Sequence, residues 1–278
     1  MCRHQVDAGI APATMKQIHA EIRYVVKGER SIFYPADREK SVWPAEEHTM
    51  TLTDMRPLRH ELTIDRNGFA LLNHVTAVTD FFDPAQVERV FHPEIIQLAK
   101  QLNGATHAVA FGPVPRSDDP AFKQGRLPAF GAHVDYGRRT IEEMARPLLG
   151  ERADYWFSKR VVLMNFWRPI TTVYRTPLAL CDASTVLPTD LNDSEIRGGL
   201  DDPDRAPLHG FNLSYNPGHR WYYVPQMRPD EMFAFKLYDS DATRPQWTGH
   251  TAFNDPEAPA DAPPRQSMEL RTVSFIEP

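Results

Sequence analysis

Within the run GAHVDYGRR (131–139), His133 and Asp135 stand two residues apart. On an extended segment, residues i and i+2 project to the same face, so this imidazole and this carboxylate reach a common metal ion. A third ligand from elsewhere would complete a set of two histidines and one carboxylate, which leaves open positions on an octahedral iron(II). His-x-Asp alone arises by chance in many chains, so the third ligand decides the matter. Of the 11 histidines, His250 in QWTGHTAFNDP is the best-placed candidate, because it opens a short apolar run after a loop. His209, in a polar stretch after Pro-Leu, and His219, in a Pro-Gly turn beside Arg220 and Trp221, are its competitors. The same donors also suit zinc, so a zinc-dependent hydrolase or lyase is the alternative chemistry. A metal-free small-molecule-binding barrel is the non-enzymatic alternative.

A second cluster of chemical side chains lies in RQSMELR (265–271). In a strand, Arg265, Ser267, Glu269 and Arg271 share one face and Met268, Leu270 and Thr272 the other. Such a polar face suits a barrel interior only if an anion binds there. Arginine offers a fork of donors and serine a hydroxyl, which the far end of a dicarboxylate requires. A solvated edge strand with an Arg–Glu pair is the plainer account. Tyr136, directly after the His-x-Asp pair, lines a pocket or packs. Arg168 opposes Asn165 and Trp167 across its strand. It is a candidate substrate or co-substrate anchor, although an ion pair with Asp182 or Asp190 is the preferred account. In HRWYYVP, Trp221 and Tyr223 share a face as core residues do, and Tyr222 on the other face is a substrate candidate. Gly131 and Ala132 are small enough to let a substrate approach, Lys236, Asp239 and Asp241 read as a polar rim, and Cys181 as a small buried hydrophobe.

The elements that must position these residues are mostly strands. The 25 prolines among 278 residues argue against a helical bundle and for short strands joined by shaped loops. Strand-like runs occur at 22–35, around Lys27-Gly28, and at 67–75 and 106–114. Apolar residues take helical spacing over 84–104, where Pro93 should break or kink the helix. A short helix is expected over 140–150, with Thr140 as N-cap and Glu143 at the capping-box position. From 160 onward strands dominate: RVVLMNFWRP, PLALCD, GFNLSYN, HRWYYVP, EMFAFKLYDS, HTAF and SMELRTVSF. The expected fold is α+β, mainly β: a double-stranded β-helix of jelly-roll or cupin type, flanked by helices from the N-terminal half. One domain over 1–278 is expected, with a variable part at 1–65 and the jelly-roll core at 66–278. The Pro-rich stretch DPEAPADAPPR (255–265) is then an internal loop.

Composition narrows the function. A net charge of −6 argues against broad binding to nucleic acid or anionic membrane, and no run approaches the length of a membrane-spanning helix. Cys2 and Cys181 are the only cysteines and offer no disulfide framework. With no apolar leader at the start, this fits the cytoplasm. A homodimer is the default oligomer.

Taken in order, HVDY, NFWRPI, TPLALCD, HRWYYVPQMRPDEMFAFKLYDSD, HTAFNDP and PPRQSMELR resemble the non-haem iron, 2-oxoglutarate-dependent oxygenases. That family includes fungal hydroxylase/desaturases, cephamycin methoxylase-related proteins and a meroterpenoid endoperoxidase. The likeness spans roughly 65–278, and Phe166 stands where a small or β-branched residue is expected. The resemblance implies Fe(II), dioxygen and 2-oxoglutarate as co-substrate. It implies His133, Asp135 and His250 as the iron ligands, and Arg265 with Ser267 near the 2-oxoglutarate carboxylate. Arg271, on the same face, is counted with them. The implied reaction is C–H abstraction from a specialised metabolite or amino acid, leading to hydroxylation, desaturation or oxidative cyclisation.

Overall fold

The computed structural model describes residues 15–277, apart from 120, 123, 200, 201 and 203. In chain order the strands are β1 (Gln17–Val25), β2 (Ser31–Phe33), β3 (Ala45–Asp54), β4 (Phe69–Asn73), β5 (His107–Ser117), β6 (His133–Val134) and β7 (Arg160–Pro169). They continue as β8 (Leu178–Cys181), β9 (Leu191–Ile196), β10 (Leu208–Leu213), β11 (Trp221–Tyr223), β12 (Glu231–Asp239), β13 (His250–Ala252) and β14 (Gln266–Ile276). The helices are α1 (Pro84–Gln86), α2 (His92–Asn103), α3 (Arg138–Leu149) and α4 (Ala153–Phe157). Among the described residues no helix is long and apolar enough to cross a membrane.

Two sheets face each other. One has nine strands in the order β1-β3-β11-β8-β13-β6-β10-β9-β2, and the other has five in the order β4-β12-β7-β14-β5. Strand alternation sorts their side chains. On β7, Val161, Leu163 and Trp167 point between the sheets, while Val162, Met164 and Phe166 point to the outer face, which α2 covers. Phe166 is therefore a fully buried packing residue beneath the helix layer. The mainly β jelly roll with flanking helices is the fold expected from the sequence.

Three local features add to or alter the expectation, each for a physical reason. Pro93 does not break its helix. Helical residues run unbroken from Pro84 to Asn103, and Pro93 is accommodated in this run directly after a π-helical turn over Val87–Phe91. Thr140 does not cap α3, which begins at Arg138 behind Gly137. Its hydroxyl instead donates to the His209 carbonyl and accepts from the His209 N–H, tying the helix to β10. The N-terminal part is also integral to the sheet. β3 pairs in parallel with β11, and the far edge of β1 is met by Ala132, whose N–H donates to the Arg23 carbonyl. The back of the sheet thus encloses a second core built on Ile18, Ile22, Tyr24, Leu52, Ala132, Cys181 and Trp221.

Candidate active site

Short β6 and β13 run side by side, and register places His250 directly opposite His133. With Asp135 they form one group whose ligand atoms all lie within 4.8 Å of one another. His133 Nε2 is 3.5 Å and His250 Nε2 3.7 Å from Asp135 Oδ1. Each imidazole turns its other nitrogen to a backbone carbonyl: His133 Nδ1 lies 2.8 Å from Gly131 O and His250 Nδ1 3.3 Å from Thr248 O. A carbonyl only accepts, so each Nδ1 carries the proton and each Nε2 keeps its lone pair for a metal. Burial and the neighbouring His133 push the His250 pKa down, which favours that neutral form. Burial alone would raise the Asp135 pKa. Arg271 and His250 override it and hold the carboxyl well below its usual range.

The two oxygens of Asp135 have separate partners. Oδ1 faces the histidines, whereas Oδ2 accepts from Arg271 Nε at 2.8 Å and Asn165 Nδ2 at 3.3 Å. The competing histidines lie elsewhere. His219 is buried against Asp190 and Tyr24, and His209 sits beside Glu195.

Beside the triad lies a small cleft, with His133, His250, Trp167, Leu178, Arg116, Arg265 and Glu269 in its walls. β14 is an inner strand and its polar face is dry: Arg265 is 1% exposed and Ser267 0%. Arg265 donates through Nε to Ser267 Oγ at 3.2 Å and through Nη1 to the Thr176 carbonyl at 2.6 Å. Its guanidinium stands 5.1 Å from the Trp167 ring, and no carboxylate pairs with it among the described residues. Burial, reinforced by Arg116, pushes its pKa down to about 9. Glu269 takes both Arg116 and Arg271, and these guanidiniums outweigh its burial and hold it at about 2. The buried cluster of Arg116, Arg265, Arg271, Asp135 and Glu269 therefore has one more cation than carboxylates.

The remaining sequence candidates separate. Tyr136 packs half-buried against the inner core, with Arg271 5.3 Å over its ring. Tyr222 shares a register row with Leu180 and His250 but stands two strands from His250, about 10 Å at the usual strand spacing. It packs on Phe69. Arg168 is a correction. Its side chain leaves the outer face of β7 toward His74, the Pro229 carbonyl and the Phe81 ring, so it neither lines the cleft nor pairs with Asp182 or Asp190. Gly131 has φ +132, and a Cβ there would lie 2.1 Å from the Trp43 ring; it backs onto tryptophan, and Ala132 is core. Lys236 and Asp239 are a buried pair joined by Arg160, not a rim.

Sequence reading missed Gly210. A Cβ at this position on β10 would sit 2.3 Å from the Asp135 carbonyl oxygen and 2.8 Å from that of Val134. The available signal was a glycine inside a strand, which marks close backbone approach. Gly210→Ala should cost about 1–3 kcal/mol of stability in thermal or urea unfolding, because the backbone carrying Asp135 must yield. Metal affinity measured by titration should fall roughly tenfold with it.

The family described as an oxidoreductase/YMDC permease-like domain matches residues 22–275. An Fe(II)/2-oxoglutarate-dependent dioxygenase, nvfI of Aspergillus novofumigatus, is 30% identical over 82% of this chain and 83% of its own. The chain belongs to the Fe(II)/2-oxoglutarate-dependent dioxygenases. A further dioxygenase, phiK of a fungal species, is 32% identical over 79% of this chain and 81% of its own. A hydroxylase/desaturase, efuI of Hormonema carpetanum, is 29% identical over 82% and 83%. The solved structure of an iron and alpha-ketoglutarate-dependent endoperoxidase, NvfI, superposes with a TM-score of 0.83 at 26% identity, covering 94% of this chain and 99% of that one. This dioxygenase uses Fe(II), 2-oxoglutarate and dioxygen.

Proposed function

We propose that His133, Asp135 and His250 hold Fe(II), and that Arg265 with Ser267 receives the far carboxylate of 2-oxoglutarate. Arg265 carries this reading: a residue 1% exposed, whose guanidinium has no carboxylate partner among the described residues, needs an anion, and it lines the cleft beside the triad. Two neutral imidazoles and one ionised carboxylate are a donor set that fits iron(II). When bound, iron with 2-oxoglutarate and dioxygen supplies the oxidation that breaks a substrate C–H bond and releases succinate and carbon dioxide. The chain's own residues orient and exclude. The carbonyls of Gly131 and Thr248 fix both imidazole tautomers, and Trp167, Leu178 and Ala252 form the apolar part of a cleft wall that is otherwise charged or polar.

A specialised metabolite as substrate is supported by the fungal relatives. The outcome is hydroxylation, desaturation or oxidative cyclisation. The buried free thiol of Cys181 fits a cytoplasmic enzyme.

The test is substrate-dependent succinate release. Iron-loaded protein with 2-oxoglutarate and oxygen is offered a panel of terpenoid, polyketide and peptide skeletons. At least one should raise succinate above the substrate-free background, and zinc in place of iron should abolish the effect. A panel that leaves succinate at background, with zinc-loaded protein hydrolysing a member, would favour the zinc alternative.

A further inference from the structure

Arg271 shares its strand face with Arg265, but its surroundings are different. All three of its nitrogens are committed inside the protein. Nε donates to Asp135 Oδ2 at 2.8 Å, Nη2 to Glu269 Oε1 at 2.9 Å and Nη1 to the Gly112 carbonyl at 3.2 Å. The last contact depends on a bulge, since Glu269 pairs with Val114 on β5 whereas Arg271 pairs with Phe111. Gly112 lies in the bulge with φ +62. Glu269 is in turn gripped by Arg116, through Nη2 at 2.8 Å and Nε at 3.2 Å. Arg271 is 3% exposed, and its guanidinium stands over the Tyr136 ring and is not among the groups that line the cleft.

We propose that Arg271 is a positioning residue for the metal site and not a ligand of 2-oxoglutarate: anchored by Glu269, Arg116 and the Gly112 bulge, it clamps Asp135 Oδ2 so that Oδ1 alone faces the metal. This rests on the iron-binding role proposed for Asp135. A free carboxylate rotates about its terminal bond and presents either oxygen, or both, to a cation. A charge-assisted bond at 2.8 Å with a fully engaged guanidinium removes that freedom before metal arrives. Arg265 has the opposite character, with an edge left toward the cleft and no carboxylate of its own.

The two roles separate in binding measurements that need no turnover. Metal-free wild type, Arg271→Met, Arg271→Lys and Arg265→Met are titrated calorimetrically with Mn(II), then with 2-oxoglutarate at saturating Mn(II). Arg271→Met should weaken Mn(II) roughly 10–100-fold, the range seen when a partner of a metal ligand is removed. Its 2-oxoglutarate affinity at saturating metal should change by less than about threefold, and Arg265→Met should reverse the pattern. Arg271→Lys, which keeps a cation but cannot hold Asp135 and Glu269 together, should recover part of the Mn(II) affinity and supplies the same comparison if the methionine variant folds poorly. In an Asp135→Asn background, Arg271→Met should weaken the residual Mn(II) binding by less than about threefold, because the group it acts through is altered. Normal Mn(II) affinity with lost 2-oxoglutarate binding in Arg271→Met would overturn the proposal, as would an undiminished effect in the Asp135→Asn background. Wild type that takes up no Mn(II) would instead remove the metal site itself, a failure distinct from that of Arg271.

Discussion

His133→Ala, Asp135→Ala and His250→Ala each weaken Fe(II) binding by more than about 100-fold, beyond the loss expected from disturbing a ligand's neighbour. The reason is geometric. The three donors come from β6, the residue just after it, and β13, and no further His, Cys, Asp or Glu joins the group among the described residues. Removing one leaves two ligands and open positions that water fills. Asp135→Ala carries a second penalty, because Arg271 then keeps its buried charge with only Glu269 beside it. It should be the least stable of the three in urea unfolding, while His133→Ala, at the more open edge of the site, should unfold close to wild type. Metal analysis after anaerobic reconstitution and desalting reads the first effect directly.

Arg265→Met weakens 2-oxoglutarate binding by about 30-fold or more without unfolding the protein. Truncating one partner of a buried charge pair costs about 2–5 kcal/mol, or roughly 30-fold to several thousand-fold in affinity. In the ligand-free state the balance runs the other way. Burial pushes the Arg265 pKa down to about 9, so the folded protein holds this cation less readily than the unfolded chain does. Methionine removes that penalty and keeps contact with Trp167, at the loss of the hydrogen bonds to Ser267 and the Thr176 carbonyl. The ligand-free melting temperature should therefore stay near that of wild type, as should the rise given by Mn(II) alone, while the further rise that 2-oxoglutarate gives Mn(II)-loaded wild type should be lost at the same concentration. A calorimetric titration and two melting curves check both halves.

The polar face of β14 was legible because a strand's period of two needs no partner: Arg265, Ser267, Glu269 and Arg271 had to point together. His-x-Asp was legible for the same reason. Which arginine does what was not. That division depends on Arg116 arriving from β5 and on a bulge at Gly112, and both are pairings between residues more than 150 positions apart. Arg168 illustrates the converse. Its opposition to Asn165 and Trp167 was readable, and that parity placed it outside the barrel, but its partners there, His74 and the Pro229 carbonyl in place of Asp182 or Asp190, depend on chain segments far away in sequence. Thr140 had the sequence of a cap, but β10 claimed its hydroxyl. β1 and β3 were the least legible contribution, since their apolar alternation says that they bury one face but not that the face closes a second core behind β6 and β13.

The central claim is that His133, Asp135 and His250 present iron to 2-oxoglutarate anchored on Arg265. Anaerobic visible spectroscopy tests it most directly. Adding 2-oxoglutarate to Fe(II)-loaded wild type should produce the weak charge-transfer band of chelated co-substrate. The band should be missing in His250→Ala at any 2-oxoglutarate concentration, and in Arg265→Met it should return only when 2-oxoglutarate is raised roughly 30-fold or more. A band of wild-type strength in His250→Ala, or none in the wild type, would contradict the assignment.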